Sequence, residues 1–132
     1  MAGDFARRRD GNMLTGKVWG STRTLLCTPL FHQEWMEIKP LHRCSWHVHR
    51  QKWNSFVVIS GRLLIDVRKK YGLVDTTTLH EGEFTSVPPG EWHRFRTGEE
   101  PCVAIEQYYL AELSEDIERE DAGGPVEQAA QA

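Results

Sequence analysis

The chain has 132 residues and a formal net charge of −3, which makes about one domain with enough interior to fold without a metal or disulfide staple. With no long basic tract there is little to recommend a nucleic-acid surface, and no apolar run approaches the roughly 18 residues that a membrane span needs. Cys27, Cys44 and Cys102 are odd in number and lack C-x-x-C pairing, which argues against a disulfide framework or structural zinc and reads all three as small buried hydrophobes.

Residues 1–12 mix Gly, Asp, Asn and Arg with no sustained period and are expected to form a flexible arm. They lack the apolar core of a secretion signal, so a cytoplasmic location is expected. From Lys17 onward come short runs rich in Val, Trp, Thr, Leu and Phe, each broken by Gly, Pro or a charged pair. The predicted strands are Thr22 to Cys27, Gln33 to Lys39, Cys44 to His49, Ser55 to Ser60, Arg62 to Arg68, Asp75 to Leu79, Phe84 to Val87, Trp92 to Arg96 and Cys102 to Leu110. Many short strands with close turn signals imply an all-β sandwich or barrel. Ser60-Gly61, Pro88-Pro89-Gly90 and Lys69-Lys70-Tyr71-Gly72 are the turns. One short helix is expected at the C-terminal side, capped by Ser114, with Glu115 and Asp116 at its positive end and Arg119 one turn on. The domain is thus expected over residues 13–121, with residues 122–132 as a disordered tail.

Side chains alternate along a strand, so His47 and His49 share one face while Cys44, Trp46 and Val48 take the other. His93 follows the Pro88-Pro89-Gly90 turn and reaches the same interior point if its strand lies beside the first. Three neutral imidazoles hold one divalent transition ion with positions left open, and zinc, iron, nickel, cobalt and manganese are the candidates. Gln51, Glu34 and Glu106 are each able to add an oxygen ligand. His32, His42 and His80 lack a partner at ligand spacing and are expected on the surface or in loops.

The two stretches resemble the paired motifs of the cupin superfamily. His47, His49 and Gly61 fit the first motif, and Gly82, Pro88, Gly90 and His93 fit the second. Leu41 stands where the opening Gly is usual, Asn54 where the Glu ligand is usual, and Thr97 where the closing Asn is usual. The resemblance implies a jelly-roll barrel (a double-stranded β-helix) with His47, His49, His93 and Asn54 around the metal. Strand alternation groups Asn54 with Phe56 and Val58; the alternative is a bulge that aims Asn54 outward and leaves Gln51 or water to complete the shell.

A narrower resemblance links Val18-Trp19-Gly20, Ile38-Lys39-Pro40, His49-Arg50, Val57 to Gly61, Ile105-Glu106 and Asp116 to Arg119 to type II phosphomannose isomerases and the C-terminal part of mannose-1-phosphate guanylyltransferases. It implies isomerisation of a sugar phosphate or related sugar. The ion would be the electrophile, Glu106 or Glu34 the base, and Arg50 the phosphate ligand, helped by Lys39, Arg94 and Arg119. Trp35, Trp46, Trp53 and Trp92 are candidate cover for a sugar face. Asn54 in the Glu position, and Gly123-Gly124-Pro125 where Tyr-Gly-Arg is usual, favour the alternative of a non-catalytic sugar-binding or regulatory cupin. A three-His iron centre of the dioxygenase kind is the third possibility. Open sheet edges around Val18-Trp19 lead us to expect a homodimer.

Overall fold

The computed structural model describes residues 14–110 and 117–126. Among them the strands are β1 (Leu14–Lys17), β2 (Gly20–Cys27), β3 (Phe31–Ile38), β4 (Trp53–Ser60), β5 (Leu63–Arg68), β6 (Val74–Leu79), β7 (Phe84–Val87), β8 (His93–Arg96) and β9 (Cys102–Tyr109). They form an antiparallel sheet in the order β1-β2-β3-β9-β4-β7 and a second, smaller antiparallel sheet in the order β6-β5-β8. The two sheets make an all-β jelly roll, the architecture that the cupin resemblance implies within the sandwich or barrel class expected from the turns.

Register explains where the core ends and the polar interior begins. Residues opposite one another on paired strands share a face, so the β3, β9 and β4 pairings stack their side chains in rows. Glu34 faces Glu106, which faces Phe56; below them Met36 faces Ala104, which faces Val58, and then Ile38 faces Cys102. The lower rows hold apolar residues at or below 2% exposure, and with Leu63, Ile65 and Phe95 they form the hydrophobic core. The upper rows add His32, Tyr108 and Asn54, also in register. One end of the interior is therefore an apolar plug and the other a polar chamber, both written by the same alternation.

Two glycines are fixed by geometry. Gly61 has φ +80, and a Cβ there would run into the Pro101 carbonyl. Gly90 has φ +87, and its N–H donates to the His49 carbonyl at 2.8 Å, so the Pro88-Pro89-Gly90 turn tethers the segment that carries His49. Leu41, in the usual glycine position, also has a positive φ of 56, a conformation that costs most residues but not glycine. Thr97 replaces the closing Asn as an anchor: its hydroxyl donates to the Lys39 carbonyl at 2.6 Å and accepts the His42 N–H at 3.1 Å.

The stretch from Cys44 to His49 departs from expectation. It is no continuous strand; it touches β8 only through the isolated bridges Arg43 with Arg96 and His47 with His93. Between these bridges three residues on one side thus stand against two on the other, the signature of a bulge. The extra residue resets the alternation, so Ser45 is exposed and Trp46 lies on the outer face, while Cys44 is buried beside the inward His47 rather than pointing away. The expected helix begins at Ser114 to Asp116, outside the described residues, and Ile117 to Arg119 are exposed without helical structure. The arm of residues 1–12 also lies outside them. Of the tail, residues 122–126 are exposed and irregular, and the rest is not described.

Candidate metal centre and adjoining chamber

Backbone pairing brings the first two ligands together. His47 and His93 exchange both N–H to carbonyl bonds, at 3.0 and 2.9 Å, so their side chains leave the same face with ring centroids 4.4 Å apart. His49, two residues on, has its ring 5.1 Å from that of His47 and 5.5 Å from that of His93. Each residue offers a donor atom, and all three donors lie within 4.8 Å of one another. Nδ1 of His47 is held by the Ser45 carbonyl at 2.8 Å and Nδ1 of His93 by the Glu91 carbonyl at 2.9 Å. Such bonds fix the tautomer and leave Nε2 as the ligand atom.

Two observations test whether a cation fits. His49 Nε2 is buried with no hydrogen-bond partner. His93 Nε2 lies 2.9 Å from Asn54 Oδ1, although Nδ1 already takes the one proton of a neutral imidazole to Glu91. The amide of Asn54 is oriented by donation of Nδ2 to the Gln107 carbonyl at 3.2 Å and toward Glu106 at 3.4 Å. Two lone pairs therefore face each other inside the barrel, an arrangement that a shared cation resolves. Their separation also matches two ligands at a right angle around an ion with bonds of about 2.1 Å. Burial, then the neighbouring His47 and His93, push His49 down to about 4, and burial likewise lowers His93. Both are neutral at neutral pH, the form that binds metal. Asn54 is fully buried and points inward with Phe56 and Val58, while Gln51 is exposed.

Beside the histidines is a cavity of about 280 Å³, lined by Lys17, Trp19, Glu34, His47, Glu106 and Tyr108 among others. Glu106 is 6% exposed. Burial pushes its carboxyl up to about 7, with the Glu34 charge across the β3–β9 pair adding to the rise, against hydrogen bonds from Tyr108 and Asn54. Glu34 Oε1 accepts Thr24 Oγ1 at 2.8 Å and also meets His32 Nε2. Its Oε2 is buried without a partner.

The proposed anion ligands are elsewhere. Arg94 alternates with His93 along β8 and so lies on the outer face, where it pairs with Asp66 at 2.9 Å and covers Trp46. Arg50 is exposed against Trp92. Lys39 borders a separate depression with Pro40, Pro101 and Val103, and Arg119 is exposed. Trp46 and Trp92 belong to that outer arginine layer, Trp35 lies under Arg23, and Trp53 stacks on Tyr109. None of these four lines the chamber; Trp19 does. Sequence reasoning also missed Lys17, Cys44, Tyr108 and His32 as chamber residues. His32 is on β3, bonded to Cys27 and Glu34, instead of in a loop. The missed signal was alternation with Glu34 and, for Tyr108, with Glu106.

Residues 34–108 match the cupin domain family. No curated protein sequence matches the chain. Among solved structures it is similar to the capsular polysaccharide assembling protein CapF of Staphylococcus aureus, at 21% identity and a TM-score of 0.66, over 75% of this chain but only 28% of that one. It is similar to KdgF of a Halomonas species at 12% identity and a TM-score of 0.66, over 79% of this chain and 93% of that one. A third similarity is to the Bacillus subtilis oxalate decarboxylase, a protein with Mn(II) centres, at 18% identity and a TM-score of 0.65, over 77% of this chain and 28% of that one. Given the match over more than half its length, the jelly-roll fold and the inward histidine triplet, the chain belongs to the cupin family.

Proposed function

We propose that this cupin is a metal-dependent catalyst of proton transfer on a small sugar, in the manner of an aldose–ketose isomerase. The observation that carries the reading is the placement of Glu106 and Glu34, in register on neighbouring strands, on the wall of a chamber that also contains His47. His47, His49 and His93 would hold the ion, with Asn54 Oδ1 as a fourth donor. When bound, a divalent ion there polarises a carbonyl or hydroxyl oxygen of the ligand. Glu106, with its carboxyl near 7, is suited to take a proton from the carbon beside a carbonyl and return it to the neighbouring carbon at neutral pH. Glu34 Oε2, free of protein partners, accepts a ligand hydroxyl, and Tyr108 orients Glu106.

The substrate we infer is an unphosphorylated polyhydroxy carbonyl compound. Among the described residues lining the chamber, Lys17 is the one lysine or arginine, whereas a phosphate is ordinarily met by several cations. The phosphate half of the phosphomannose isomerase resemblance thus finds no clamp, and the isomerisation half retains its carboxylates. The similarity to CapF, a capsular polysaccharide assembling protein, is in keeping with a sugar ligand. The test is incubation of manganese- or zinc-loaded protein with mannose, fructose and mannose 6-phosphate in D₂O, followed by NMR. Deuterium is expected at the carbon beside the carbonyl of the free sugars, and Glu106→Gln should lower its rate by roughly 100-fold or more. Metal-loaded protein that binds sugar without exchange would make this a binding module instead.

We also infer a homodimer through the β1 side, because β1 is the edge of the larger sheet and Leu14 and Val18 beside it are 61% and 86% exposed. Light scattering at micromolar concentration should give twice the chain mass of 15.2 kDa; the mass of one chain would refute it.

A further inference from the structure

A second constellation lies at the β2–β3 hairpin, on the other side of the wall made by His32 and Tyr108. Cys27 and His32 are opposite one another in the β2–β3 register, and His32 and Glu34 are two residues apart on one face of β3. The strand geometry therefore lines up a thiol, an imidazole and a carboxylate. Cys27 Sγ is 3.3 Å from His32 Nδ1, and His32 Nε2 meets Glu34 Oε1. The carboxylate can only accept, so it draws the imidazole proton to Nε2 and leaves the Nδ1 lone pair facing the thiol. That is the order of groups by which a base oriented by an acid activates a nucleophile.

The thiol also has somewhere to meet a ligand. Cys27 and His32 border a cavity of about 310 Å³ whose remaining wall is mainly apolar, with Leu30, Phe31 and Tyr109, and which includes Lys52. All three thiols are buried, and burial pushes Cys44 and Cys102 up to about 11; Cys27 is the one set against an imidazole at the edge of a cavity. Neither Cys44 nor Cys102 lines this cavity.

We propose that Cys27, His32 and Glu34 form a reactive-thiol site that captures small, apolar α,β-unsaturated carbonyl compounds. The Cys27 proton passes to His32 Nδ1 while Sγ bonds to the β-carbon of the ligand. The carbon–carbon π pair moves toward the carbonyl oxygen, whose developing negative charge the Lys52 ammonium, on the same cavity, is suited to offset. The α-carbon then takes the proton back from His32. One thioether forms, nothing is oxidised or reduced, and the adduct has the summed mass of protein and ligand. The apolar wall selects an uncharged body, and the volume limits it to a molecule of modest size.

The experiment uses the full chain and cyclohex-2-enone, followed by intact mass and peptide mapping over time. Cys27 should be labelled at least roughly ten times faster than Cys44 or Cys102, since a thiol that borders a cavity and can pass its proton to an imidazole outcompetes thiols without such a base. Cys27→Ser should abolish the rapid adduct while leaving bound metal unchanged. His32→Gln should slow labelling of Cys27 by roughly tenfold or more, with Glu34→Gln intermediate. A variant that merely loosened the hairpin would do the opposite, exposing Cys27 and speeding the reaction, so the sign separates base from scaffold. Equal labelling of the three cysteines, or a rate at Cys27 indifferent to His32→Gln, overturns the proposal.

Discussion

Two nearly fully buried carboxylates sit on opposite faces of the barrel wall and behave in opposite ways. Asp66, 1% exposed on the outer face of the smaller sheet, would be raised by burial, but hydrogen bonds from Arg96, Thr76 and Arg94 and the Arg96 charge outweigh it and hold the carboxyl below its ordinary 3.8. Glu106, 6% exposed on the inner face, is offered hydrogen bonds from only a phenol and an amide, and the Glu34 carboxylate opposes the help of the Lys17 charge, so burial wins and it rises to about 7. The partners, more than the depth, decide the outcome. Asp66 is saturated and structural: it organises Arg94, Arg96 and the tryptophans they cover. Glu106 keeps capacity in reserve, which is what the proposed proton transfer would require of it.

The largest expected effect tests whether the inner face is a ligand shell. His93→Ala or His47→Ala should lower metal affinity by roughly 100-fold or more, because the two remaining imidazoles leave the ion mainly to water. Asp66→Asn should leave it unchanged. Elemental analysis after dialysis checks both, and full occupancy in the histidine variants would move the site elsewhere.

Stability against pH should separate the two acids by sign. A carboxyl raised from its ordinary 4.5 to about 7 favours folding while protonated. Metal-free protein should therefore be most stable below about 4.5 as far as Glu106 is concerned, and lose on the order of 3 kcal/mol as the pH rises to 7. Glu106→Gln should flatten this limb in urea titrations; an unchanged slope would mean that Glu106 is hydrated. Asp66, being lowered, contributes stability that is present above 3.8 and disappears as the pH falls through its folded value.

Asp66→Asn at neutral pH should then cost about 2 kcal/mol. The figure stays modest because the arginine side chains it leaves behind are 25% and 37% exposed and can turn to water. A cost near zero would show that the outer clamp is ornamental to stability.

The smallest effect lies at Leu41. Its left-handed φ of 56 costs about 1–2 kcal/mol relative to glycine, partly offset by the roughly 0.5–1 kcal/mol that glycine loses in backbone entropy. With the side chain 73% exposed, no packing is forfeited. Leu41→Gly should raise stability by about 0.5 kcal/mol in a denaturant midpoint measurement, and a loss would mean that the leucine makes contacts its exposure does not suggest.

How much of this was legible follows from which signals are local. Phe84 to Val87 was bounded correctly and most other strands within one or two residues, because alternation and turn residues are properties of neighbouring positions. His47, His49 and His93 converge because their spacing carries that information. What escaped was set by partners far along the chain. Nothing near His32 announces Cys27 as its contact; the hairpin register does. Arg94 looked available beside a ligand, yet the same alternation that turns His93 inward turns Arg94 out to Asp66. The Cys44 to His49 stretch reads as an unbroken strand because a bulge leaves no mark in a run of apolar and polar residues.

That bulge has a counterpart in β2, where the pairing with β3 skips a residue between Thr24 and Leu26. In each case a side chain an odd number of positions away is brought to the same face: Cys27 with Thr24, which meet His32 and Glu34 of β3, and Cys44 with His47, which line the chamber. The bulges work as phase shifters, and they make chain length, rather than residue identity, a control over what the interior contains. Removing one residue near Leu25 or Ser45 would leave the strand order and composition almost untouched, yet exchange one set of inward groups for its neighbours. In this barrel a single-residue insertion or deletion at either bulge would change which groups line the interior, where a substitution changes one of them.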